Sequence, residues 1–366
     1  MTTARIPGKA LLITFHDPLS TTYGAGQRTH FLLKALGTCM RTDVLQIVEA
    51  AVAPSVSTLP ENLGSGTLYR LHFVPNGLFD APWLSVRSAR LDHLVQGVVD
   101  LPAYSLLVCR YIAPLMKLHL PPHTPVLIDF DDPVYRPSLS GIKRPSTALK
   151  ETVKVLHQLL ISVRLRLSRA QNREFLFVCD RDQQEFSYLR SSVLPNIPSF
   201  PRLPPSPPTT GLQTLLFVGM MSWQPNIDGV EHFLKHIWPL ILTRVPTAQL
   251  SIVGKATSVQ LNRLNTFPNC QARGFVKDLD QAYADAAICI VPLYSGGGSN
   301  IKLPEACAHM RPVVATRYSY SGWDSIFSPD EHLLVADDDL SFAAHCCSLL
   351  ENVESANTLV TTGHRR

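Results

Sequence analysis

The sequence predicts an α/β protein built from two doubly wound, Rossmann-like domains. Short apolar runs rich in β-branched residues alternate with helical patterns, as expected for parallel sheets with crossover helices. The 366 residues exceed the size at which a single core keeps growing. Seven prolines between Pro195 and Pro208 indicate an extended linker. We therefore predict an N-terminal domain over residues 1–197, a linker over 198–211 and a C-terminal domain over 212–366, with the two domains facing across a ligand cleft.

The composition excludes several classes of protein. Hydrophobic residues make up 45% and charged residues 17% of the chain, which is typical of a globular protein. The net charge of +4 is mild, and no basic stripe interleaved with aromatic residues suggests nucleic-acid binding. The eight cysteines form no C-x-x-C pair, and no apolar run is long enough to span a bilayer. We expect a cytoplasmic protein, at most peripheral at the inner face of a membrane.

The first predicted strand, loop and helix form one candidate ligand-binding turn. The strand covers residues 9–15, the loop 16–27 contains Gly24 and Gly26, and the helix covers 28–37. Such a turn presents backbone N–H groups to an anion, although the third glycine of a dinucleotide fingerprint is missing. His16 and Asp17 open the loop and are candidates for orienting an acceptor.

Three carboxylates end the predicted strand that begins at Val126: Asp129, Asp131 and Asp132. Acidic groups at the carboxyl end of a strand face the ligand crevice, so one interpretation is a metal site or a general base. The other is a solvated loop in which Asp132 is a turn residue. We favour a structural or acceptor-side role, because the spacing supplies no second cluster to complete a metal shell.

A long amphipathic helix is predicted over residues 146–174. Its apolar residues share one face: Leu149, Val153, Leu156, Leu160, Val163 and Leu167. Its basic residues lie toward the C-terminal half: Arg164, Arg166, Arg169 and Arg173. Two interpretations stay open. We favour a core-packed helix whose charges stabilise its C-terminal dipole, and the alternative is peripheral contact with anionic lipid.

The stretch 293–308 is the strongest candidate for a functional site. A buried strand over 287–291 leads through three glycines into a helix, for which Asn300 is a plausible N-cap. A glycine turn that enters a helix N-terminus favours phosphate, and Lys302 adds a positive charge beside it. Glu305 can accept two hydrogen bonds, as from the hydroxyls of a ribose. Together these features suggest a bound nucleoside diphosphate.

Simpler interpretations of the same stretch exist. Three consecutive glycines more often mark a flexible turn than a ligand site. A glutamate in the first turn of a helix can simply complement the helix dipole. The spacing alone does not decide between these readings and a nucleotide site.

The second half of the chain resembles the donor domain of retaining, group 1, family 4-like nucleotide-sugar glycosyltransferases of the GT-B fold. The matching motifs are Phe217-Val218-Gly219, Trp223 to Gly229, Ile252-Val253-Gly254, Gly274 to Leu279, Val291-Pro292-Leu293, Gly296 to Lys302, Pro304 to Ala308 and Arg311 to Thr316. Their order and spacing are far more specific than any single motif. The first half matches more loosely, through Gly24, Gly26 and Arg28.

The resemblance implies roles for particular residues. Lys302 would hold the diphosphate and Glu305 the ribose, and these two are the catalytic candidates. The other donor-binding candidates are Gly24, Gly26, Arg28, Gly219, Asn226, Val276, Lys277, Gly296, Gly297, Gly298, Ser299 and Asn300. The acceptor-side candidates are His16, Asp17, Arg110 and Asp131.

The resemblance also implies a reaction. A sugar would pass from a nucleotide-diphosphate sugar to a glycan or lipid-linked acceptor with retention of anomeric configuration, as in polysaccharide biosynthesis. The leaving phosphate would take the acceptor proton, and no metal or other cofactor would be required. The sequence offers no convincing carboxylate pair for a double displacement.

Three departures from the family pattern keep alternatives open. Gly297 stands where many relatives carry a second glutamate, Met220 to Ser222 replace a basic pair, and the chain ends soon after a helix predicted near 341–350. One alternative is a catalytically silent protein that binds nucleotide sugars. The other is a nucleotide-sugar epimerase on the same fold, for which only His16 and the 129–132 carboxylates are acid/base candidates.

Overall fold

The computed structural model describes residues 6–21, 24–76, 80, 86–131, 145–167, 172–198, 201, 204–296 and 299–366. The chain divides into two compact units. The first comprises Met1–Tyr135 and Leu149–Asn196, and the second comprises Arg136–Ala148 and Ile197–Arg366. The change of unit after Asn196 lies inside the proline-rich stretch.

The first unit is built on an eight-stranded sheet. Its strands are β1 (Lys9–Thr14), β2 (Arg41–Val48), β3 (Ser55–Thr58), β4 (Thr67–His72), β5 (Leu106–Arg110), β6 (Val126–Asp129), β7 (Arg173–Phe177) and β8 (Ser191–Val193). They lie in the order β3-β4-β2-β1-β5-β6-β7-β8, and every neighbouring pair is parallel except β3 with β4 at the edge. The strand order therefore reverses between β1 and β5. This topological switch point is where a doubly wound sheet forms its ligand crevice.

Five α-helices accompany this sheet in the described part of the chain: Gly24–Cys39, Ala89–Gln96, Ala113–Lys117, Pro145–Leu167 and Asp180–Glu185. The first of them corrects the predicted glycine loop, because it begins at Gly24 rather than Arg28. Gly24 and Gly26 lie in its first turn. Glycine is tolerated there because the first four N–H groups of a helix have no intrahelical partner.

The long helix Pro145–Leu167 corrects a second prediction. Its described part extends to Leu167, and residues 173 and 174, predicted as helical, belong to β7. Ile161 and Leu165 are buried in the core of the first unit. Leu156, Leu160 and Val163, from the face predicted to pack, are instead exposed. Helical periodicity places residues on a common face but does not say whether that face is covered.

The second unit is built on a six-stranded sheet in which all neighbouring strands are parallel. Its strands are β9 (Thr214–Val218), β10 (Gln249–Val253), β11 (Cys270–Gly274), β12 (Ile288–Val291), β13 (Val313–Thr316) and β14 (Leu334–Ala336). They lie in the order β11-β10-β9-β12-β13-β14, so this sheet reverses between β9 and β12. Both sheets thus have the doubly wound architecture that the sequence predicts.

Helical segments lie between and after the strands of the second unit. The α-helical segments are Gln224–His232, Trp238–Arg244, Ser258–Leu264, Leu279–Ala284, Lys302–Ala308, Arg317–Tyr320, Asp339–Glu351 and Val353–Arg365. A π-helical turn, Phe233–Ile237, joins the first two segments. The helix predicted over 341–350 is followed by a further helix, Val353–Arg365. In this last helix, the His364 Nδ1 atom lies 3.0 Å from the Cys307 carbonyl oxygen. No helix in the described ranges has the length and apolar character needed to cross a bilayer.

Candidate functional site

In the second unit, the backbone after β9 lies directly against the backbone after β10. A Cβ atom built on Gly254 would lie 2.0 Å from the Gly219 carbonyl oxygen, and the φ angle of Gly254 is +144°. Any side chain at this position would therefore collide with the neighbouring turn. The two glycines allow the loop after β9 to fold tightly at the switch point.

Gly219 also makes room for Lys302. A Cβ atom on Gly219 would lie 2.8 Å from Asn226 Nδ2 and 3.0 Å from Lys302 Cε. The structure therefore brings together Gly219, Asn226 and Lys302, which come from three separate segments of the sequence. Asn226 donates from Nδ2 to the Met220 carbonyl oxygen at 2.8 Å. Its Oδ1 atom is buried without a hydrogen-bond partner among the described residues.

The Lys302 ammonium lies among aromatic rings. Its Nζ atom is 5.4 Å from the ring centroid of Trp223 and 5.9 Å from that of Phe217. Burial lowers the pKa of Lys302 to about 8, although the nearby Glu305 opposes this shift. Within the described ranges, no carboxylate lies within ion-pair distance of Lys302. A bound anion would compensate the cost of burying this cation.

Glu305 is 5% exposed and has a partner that the sequence did not reveal. The hydroxyl of the buried Tyr283 donates a hydrogen bond to Glu305 Oε2 at 3.0 Å. Burial, reinforced by the Glu305 charge, raises the pKa of Tyr283 well above its ordinary value, so the phenol keeps its proton and remains a donor. Tyr283 therefore fixes the orientation of the Glu305 carboxylate.

Tyr283 is held in place from two sides. The ring of His309 stacks on it with centroids 4.0 Å apart. The ring nitrogens of His309 lie 2.8 Å from the Glu305 carbonyl oxygen and 3.0 Å from Asp280 Oδ1. Arg311 Nε donates to the Tyr283 carbonyl oxygen at 2.5 Å. Glu305 is thus positioned by a packed network of polar contacts that includes Tyr283, His309 and Arg311.

The loop after β12 is braced by residues that follow β13. Ser319 Oγ donates to the Val291 carbonyl oxygen at 2.9 Å, and the Tyr318 hydroxyl donates to the Gly296 carbonyl oxygen at 2.5 Å. Trp323 Nε1 donates to the Asn300 carbonyl oxygen at 2.9 Å. These contacts hold the loop on both sides of Gly297 and Gly298, two predicted donor-binding residues that lie outside the described residues.

The predicted cap of the following helix is wrong. Ile301 occupies the N-cap position of the helix Lys302–Ala308 and makes no side-chain cap. Asn300 Nδ2 instead lies 3.4 Å from the Ser319 carbonyl oxygen. The helix has only seven residues, so its dipole adds little. The positive charge of Lys302 is consequently the main attraction for an anion here.

Two other donor-binding candidates follow β11. Gly274 ends that strand with a φ angle of +69°. Val276 is partly buried against the core of the second unit, and Lys277 is exposed. Ser299, also predicted from the sequence, is buried. Ligand contacts for these residues stay predictions.

In the first unit, Arg28 is fully engaged by the protein itself. Its Nε and Nη2 atoms donate to both oxygens of Asp129, which is 0% exposed, at 2.6–3.0 Å. Its Nη1 atom donates to the Leu194 and Pro195 carbonyl oxygens and to Asn196 Oδ1. These contacts give Arg28 a structural role, and its donor-binding role stays a prediction.

Arg110 extends this network at the end of β5. Its Nη1 atom lies 2.9 Å from Asp129 Oδ2 without hydrogen-bond geometry, so this contact is mainly Coulombic. Its Nη2 atom donates to Asp131 Oδ2 at 2.7 Å, and its Nε atom donates to Thr29 Oγ1 at 3.1 Å. Burial raises the pKa of Asp131, but Arg110 and Arg28 outweigh this effect and leave it below its ordinary value.

The acceptor-side candidates His16, Arg110 and Asp131 meet around Tyr111. The rings of His16 and Tyr111 have centroids 5.0 Å apart, and the guanidinium of Arg110 lies 3.8 Å from the Tyr111 ring centroid. Burial first, and then the Arg110 charge, lowers the pKa of His16 to about 4, against the opposing effect of Asp131. This imidazole is therefore neutral near pH 7. Asp17 is exposed and accepts from the Leu19 N–H.

The described carboxylates of the 129–132 group are engaged by ion pairs. Asp129 and Asp131 are both paired with arginine, and no group of three or more metal-ligating side chains was found among the described residues. Asp132 lies outside those residues. A structural role for Asp129 follows directly from its two buried ion pairs.

Two Rossmann-like units, each with polar residues at the switch point of its sheet, define the GT-B class of fold. Residues 213–352, which lie in the second unit, match the family model described as glycosyl transferases group 1. The match lies entirely within the second unit and covers less than half of the chain.

One curated relative matches over a similar length of chain. It is an uncharacterized 44.6 kDa protein in the cps region of Klebsiella pneumoniae, and it is 25% identical over 147 residues. The match covers 38% of this chain and 37% of that protein, so the chain spans little more than a third of that relative.

Solved structures match nearly the whole chain. Sucrose-phosphate synthase from Thermosynechococcus elongatus has a TM-score of 0.68 and 16% identity, over 98% of this chain and 93% of that one. HepE from Anabaena, solved with UDP and glucose, has a TM-score of 0.61 and 13% identity over 98% and 94%. WaaG, a glycosyltransferase involved in lipopolysaccharide biosynthesis, has 0.58 and 13% over 97% and 94%. Likeness at this level of identity shows the shared fold.

Proposed function

We propose that this protein is a retaining glycosyltransferase that moves a sugar from a nucleotide-diphosphate sugar to a glycan or lipid-linked acceptor. The observation that carries the proposal is the position of Lys302 in the region that matches the group 1 family model. Its half-buried side chain lies beside Gly219 and near Glu305, and no carboxylate of the described chain pairs with it. The UDP and glucose found with HepE support the same class of donor.

In this proposal, Lys302 acts on the leaving group. The bond between the sugar C1 atom and the diphosphate oxygen breaks, and the diphosphate gains negative charge in the transition state. An ammonium fixed at that oxygen stabilises the transition state more than the bound substrate, and so it raises the rate. The acceptor oxygen bonds to C1 on the same face, and its proton passes to the leaving phosphate. No metal ion is required in this scheme.

Glu305 binds the ribose in the same proposal. Tyr283 donates one hydrogen bond to Glu305 Oε2. A carboxylate has about four acceptor sites, so Glu305 can also accept hydrogen bonds from the two ribose hydroxyls. The buried Oδ1 of Asn226, close to Lys302 and without a partner among the described residues, supplies a further acceptor for a hydroxyl of the donor. Gly297 stands where many relatives carry a glutamate, and Asn226 would supply a polar contact to the donor from another part of the site.

The acceptor is assigned to the first unit. The switch point of its sheet holds the side chains of His16, Arg110 and Asp131. The neutral imidazole and the paired charges of arginine and aspartate can orient an acceptor hydroxyl through hydrogen bonds. A role in polysaccharide biosynthesis agrees with the involvement of WaaG in lipopolysaccharide biosynthesis.

Incubation with a panel of labelled nucleotide sugars tests the proposal. We expect slow donor hydrolysis alone and sugar transfer when an acceptor is present, with the anomeric configuration of the product retained when it is read by NMR. Release of an altered sugar would assign an epimerase instead. Binding without turnover, seen as a rise in melting temperature only, would assign a silent binding protein.

A further inference from the structure

His309 lies one contact behind the Glu305 carboxylate in the second unit. It follows the helix Lys302–Ala308 directly and is 5% exposed. Its ring stacks on the ring of Tyr283, with centroids 4.0 Å apart and planes inclined by 19°. Tyr283 in turn donates a hydrogen bond to Glu305 Oε2 at 3.0 Å. A change in the contacts of His309 would therefore reach Glu305 through Tyr283.

Both ring nitrogens of His309 face hydrogen-bond acceptors. Nδ1 lies 2.8 Å from the Glu305 carbonyl oxygen, and Nε2 lies 3.0 Å from Asp280 Oδ1. Carbonyl oxygens and ionised carboxylates only accept hydrogen bonds, whereas a neutral imidazole carries a single N–H group. A neutral ring at this position would thus set a lone pair against one of the two acceptors. Only the imidazolium form donates to both.

Another buried histidine of the same unit, His332, has a different arrangement. Its Nδ1 atom accepts a hydrogen bond from the Ser328 N–H group at 2.8 Å, so this nitrogen carries no proton. Its ring lies edge-on to the ring of Phe327. A neutral imidazole satisfies these contacts. His332 therefore provides an internal reference for the two acceptors that face His309.

The charged groups around His309 come from its own helix and from the segments packed against it. Asp280 and Glu305 each contribute a carboxylate. The Arg311 guanidinium opposes them, and it is itself close to the carboxylate of Asp285. The balance of these charges favours a positive ring over a neutral one.

The other titratable groups of this network are uncharged near pH 7. Burial raises the pKa of Tyr283 and of Cys289 well above their ordinary values, and it raises the pKa of Cys307 to about 12. These three groups therefore do not repel an imidazolium. The neutral phenol of Tyr283 also favours a cation stacked on its face.

We propose that His309 is a positioning residue for the ribose-binding carboxylate, and that it acts as an imidazolium bonded to both Asp280 and the Glu305 carbonyl oxygen. The two hydrogen bonds fix the imidazole ring, the ring fixes the stacked Tyr283, and Tyr283 aims the Glu305 carboxylate. When Nε2 loses its proton to water, the bond to Asp280 is lost and two acceptors face each other. This inference rests on the proposed function, because it assigns His309 to the site that would hold the ribose.

The protonation of His309 can be read without a ligand. In proton–nitrogen NMR spectra of the histidine-labelled full chain at pH 7, we expect protons on both ring nitrogens of His309 and on Nε2 alone of His332. The variant His309→Gln assigns the signals. In Asp280→Asn, the amide can donate to Nε2, so His309 should keep only its Nδ1 proton. A single ring proton on His309 in the wild type would overturn the proposal.

The effect on the site is measured by calorimetric binding of UDP, the nucleotide found with HepE, from about pH 6 to about pH 9. ADP and GDP are measured beside it. The affinities of the wild type and of Asp280→Asn should be similar at the acid end. At the alkaline end the wild type should bind about fivefold more weakly, because it has lost a hydrogen bond that the amide of the variant retains. The ratio of the two affinities cancels the titration of the phosphates and of Lys302, which both proteins share.

The control is His332→Gln, which should leave the UDP affinity and its pH dependence unchanged. A constant ratio of wild-type to Asp280→Asn affinity across this range would overturn the positioning role while leaving the nucleotide site in place. Failure of all three nucleotides to bind at any pH would contradict the proposed function and, with it, the role of His309.

Discussion

In the first unit, the charged side chains at the switch point of the sheet form ion pairs with one another. In the second unit, Lys302 at the switch point forms no ion pair among the described residues. Arg28 and Arg110 share Asp129, and Arg110 also pairs with Asp131, so two cations and two carboxylates compensate each other. Lys302 is half-buried beside the rings of Trp223 and Phe217, and the nearby Glu305 accepts a hydrogen bond from Tyr283.

This difference separates two uses of buried charge. The network of the first unit joins segments that are distant in sequence, since Arg28 and Asp129 are 101 residues apart. Breaking it should therefore lower the free energy of unfolding. A cation without an ion pair among the described residues costs stability and is stabilised when an anion binds, so its removal should lower activity rather than stability. The predictions below test this division, from the largest expected effect to the smallest.

Removing the shared carboxylate of the first unit should have the largest effect. Asp129→Ala leaves Arg28 and Arg110 buried without their common partner and should lower the free energy of unfolding by about 3–5 kcal/mol. Amide hydrogen exchange in β1 and β6 measures this loss. The control Asp337→Ala, which breaks the exposed pair of Asp337 with Arg317, should change exchange in β13 and β14 very little. Equal small effects would show that the buried network does not hold the first unit together.

Removing the cation of the second unit should act on rate instead. Lys302→Ala should lower kcat for sugar transfer or donor hydrolysis on the order of 10²-fold, as for the loss of one preorganised group at the leaving oxygen. Its melting temperature should not fall. Lys235→Ala, at an exposed lysine of the same unit paired with Glu231, is the control and should retain the wild-type rate. Wild-type kcat in Lys302→Ala would remove this residue from the mechanism.

Removing the hydroxyl that orients Glu305 should have an intermediate effect. Tyr283→Phe should weaken nucleoside diphosphate binding about tenfold, because a hydrogen bond to a charged group is lost. The control is Tyr104→Phe, since Tyr104 donates to Asp43 Oδ2 at the same distance of 3.0 Å but lies in the first unit. Calorimetric dissociation constants compare the two. An identical loss in both variants would indicate a general effect on stability rather than positioning of Glu305.

The effect of His16 should be confined to acid pH, where protonation of its buried imidazole lowers stability. Its pKa is about 4 in the folded protein and about 6.5 when unfolded, so the unfolded chain binds more protons between these values. The contribution of His16 to stability is therefore complete above about pH 6.5 and is lost as the pH falls toward 4. Urea unfolding of wild type and His16→Gln at several pH values measures it. Parallel pH profiles for the two proteins would contradict the assignment.

Local patterns in the sequence were sufficient for the architecture. The β-branched runs predicted both parallel sheets, and the spacing from the glycine turn indicated Lys302 and Glu305 as site residues. They could not give the partners of those residues. Tyr283 precedes Glu305 by 22 residues and reads as an ordinary apolar position of a short helix. Ser319 and Trp323 brace the site loop from beyond the next strand, and only the fold brings them there.

The same limit explains the predictions that were wrong. Gly24 and Gly26 were predicted to lie in a loop, but they lie in the first turn of a helix, where the preference of glycine against helix interiors is weak. The apolar stripe of the helix Pro145–Leu167 has the period of a packing face, and period alone cannot distinguish a covered face from an exposed one.

The affinity of the protein for a nucleoside diphosphate, measured by calorimetry from pH 7 to pH 10, tests the central claim most directly. Because the pKa of Lys302 is about 8 without ligand, wild-type affinity should fall as the pH rises above that value. Lys302→Ala should bind more weakly at pH 7 and lose this pH dependence, while the nucleoside without phosphates should bind both proteins equally. Equal diphosphate affinity in both proteins across this range would contradict the account.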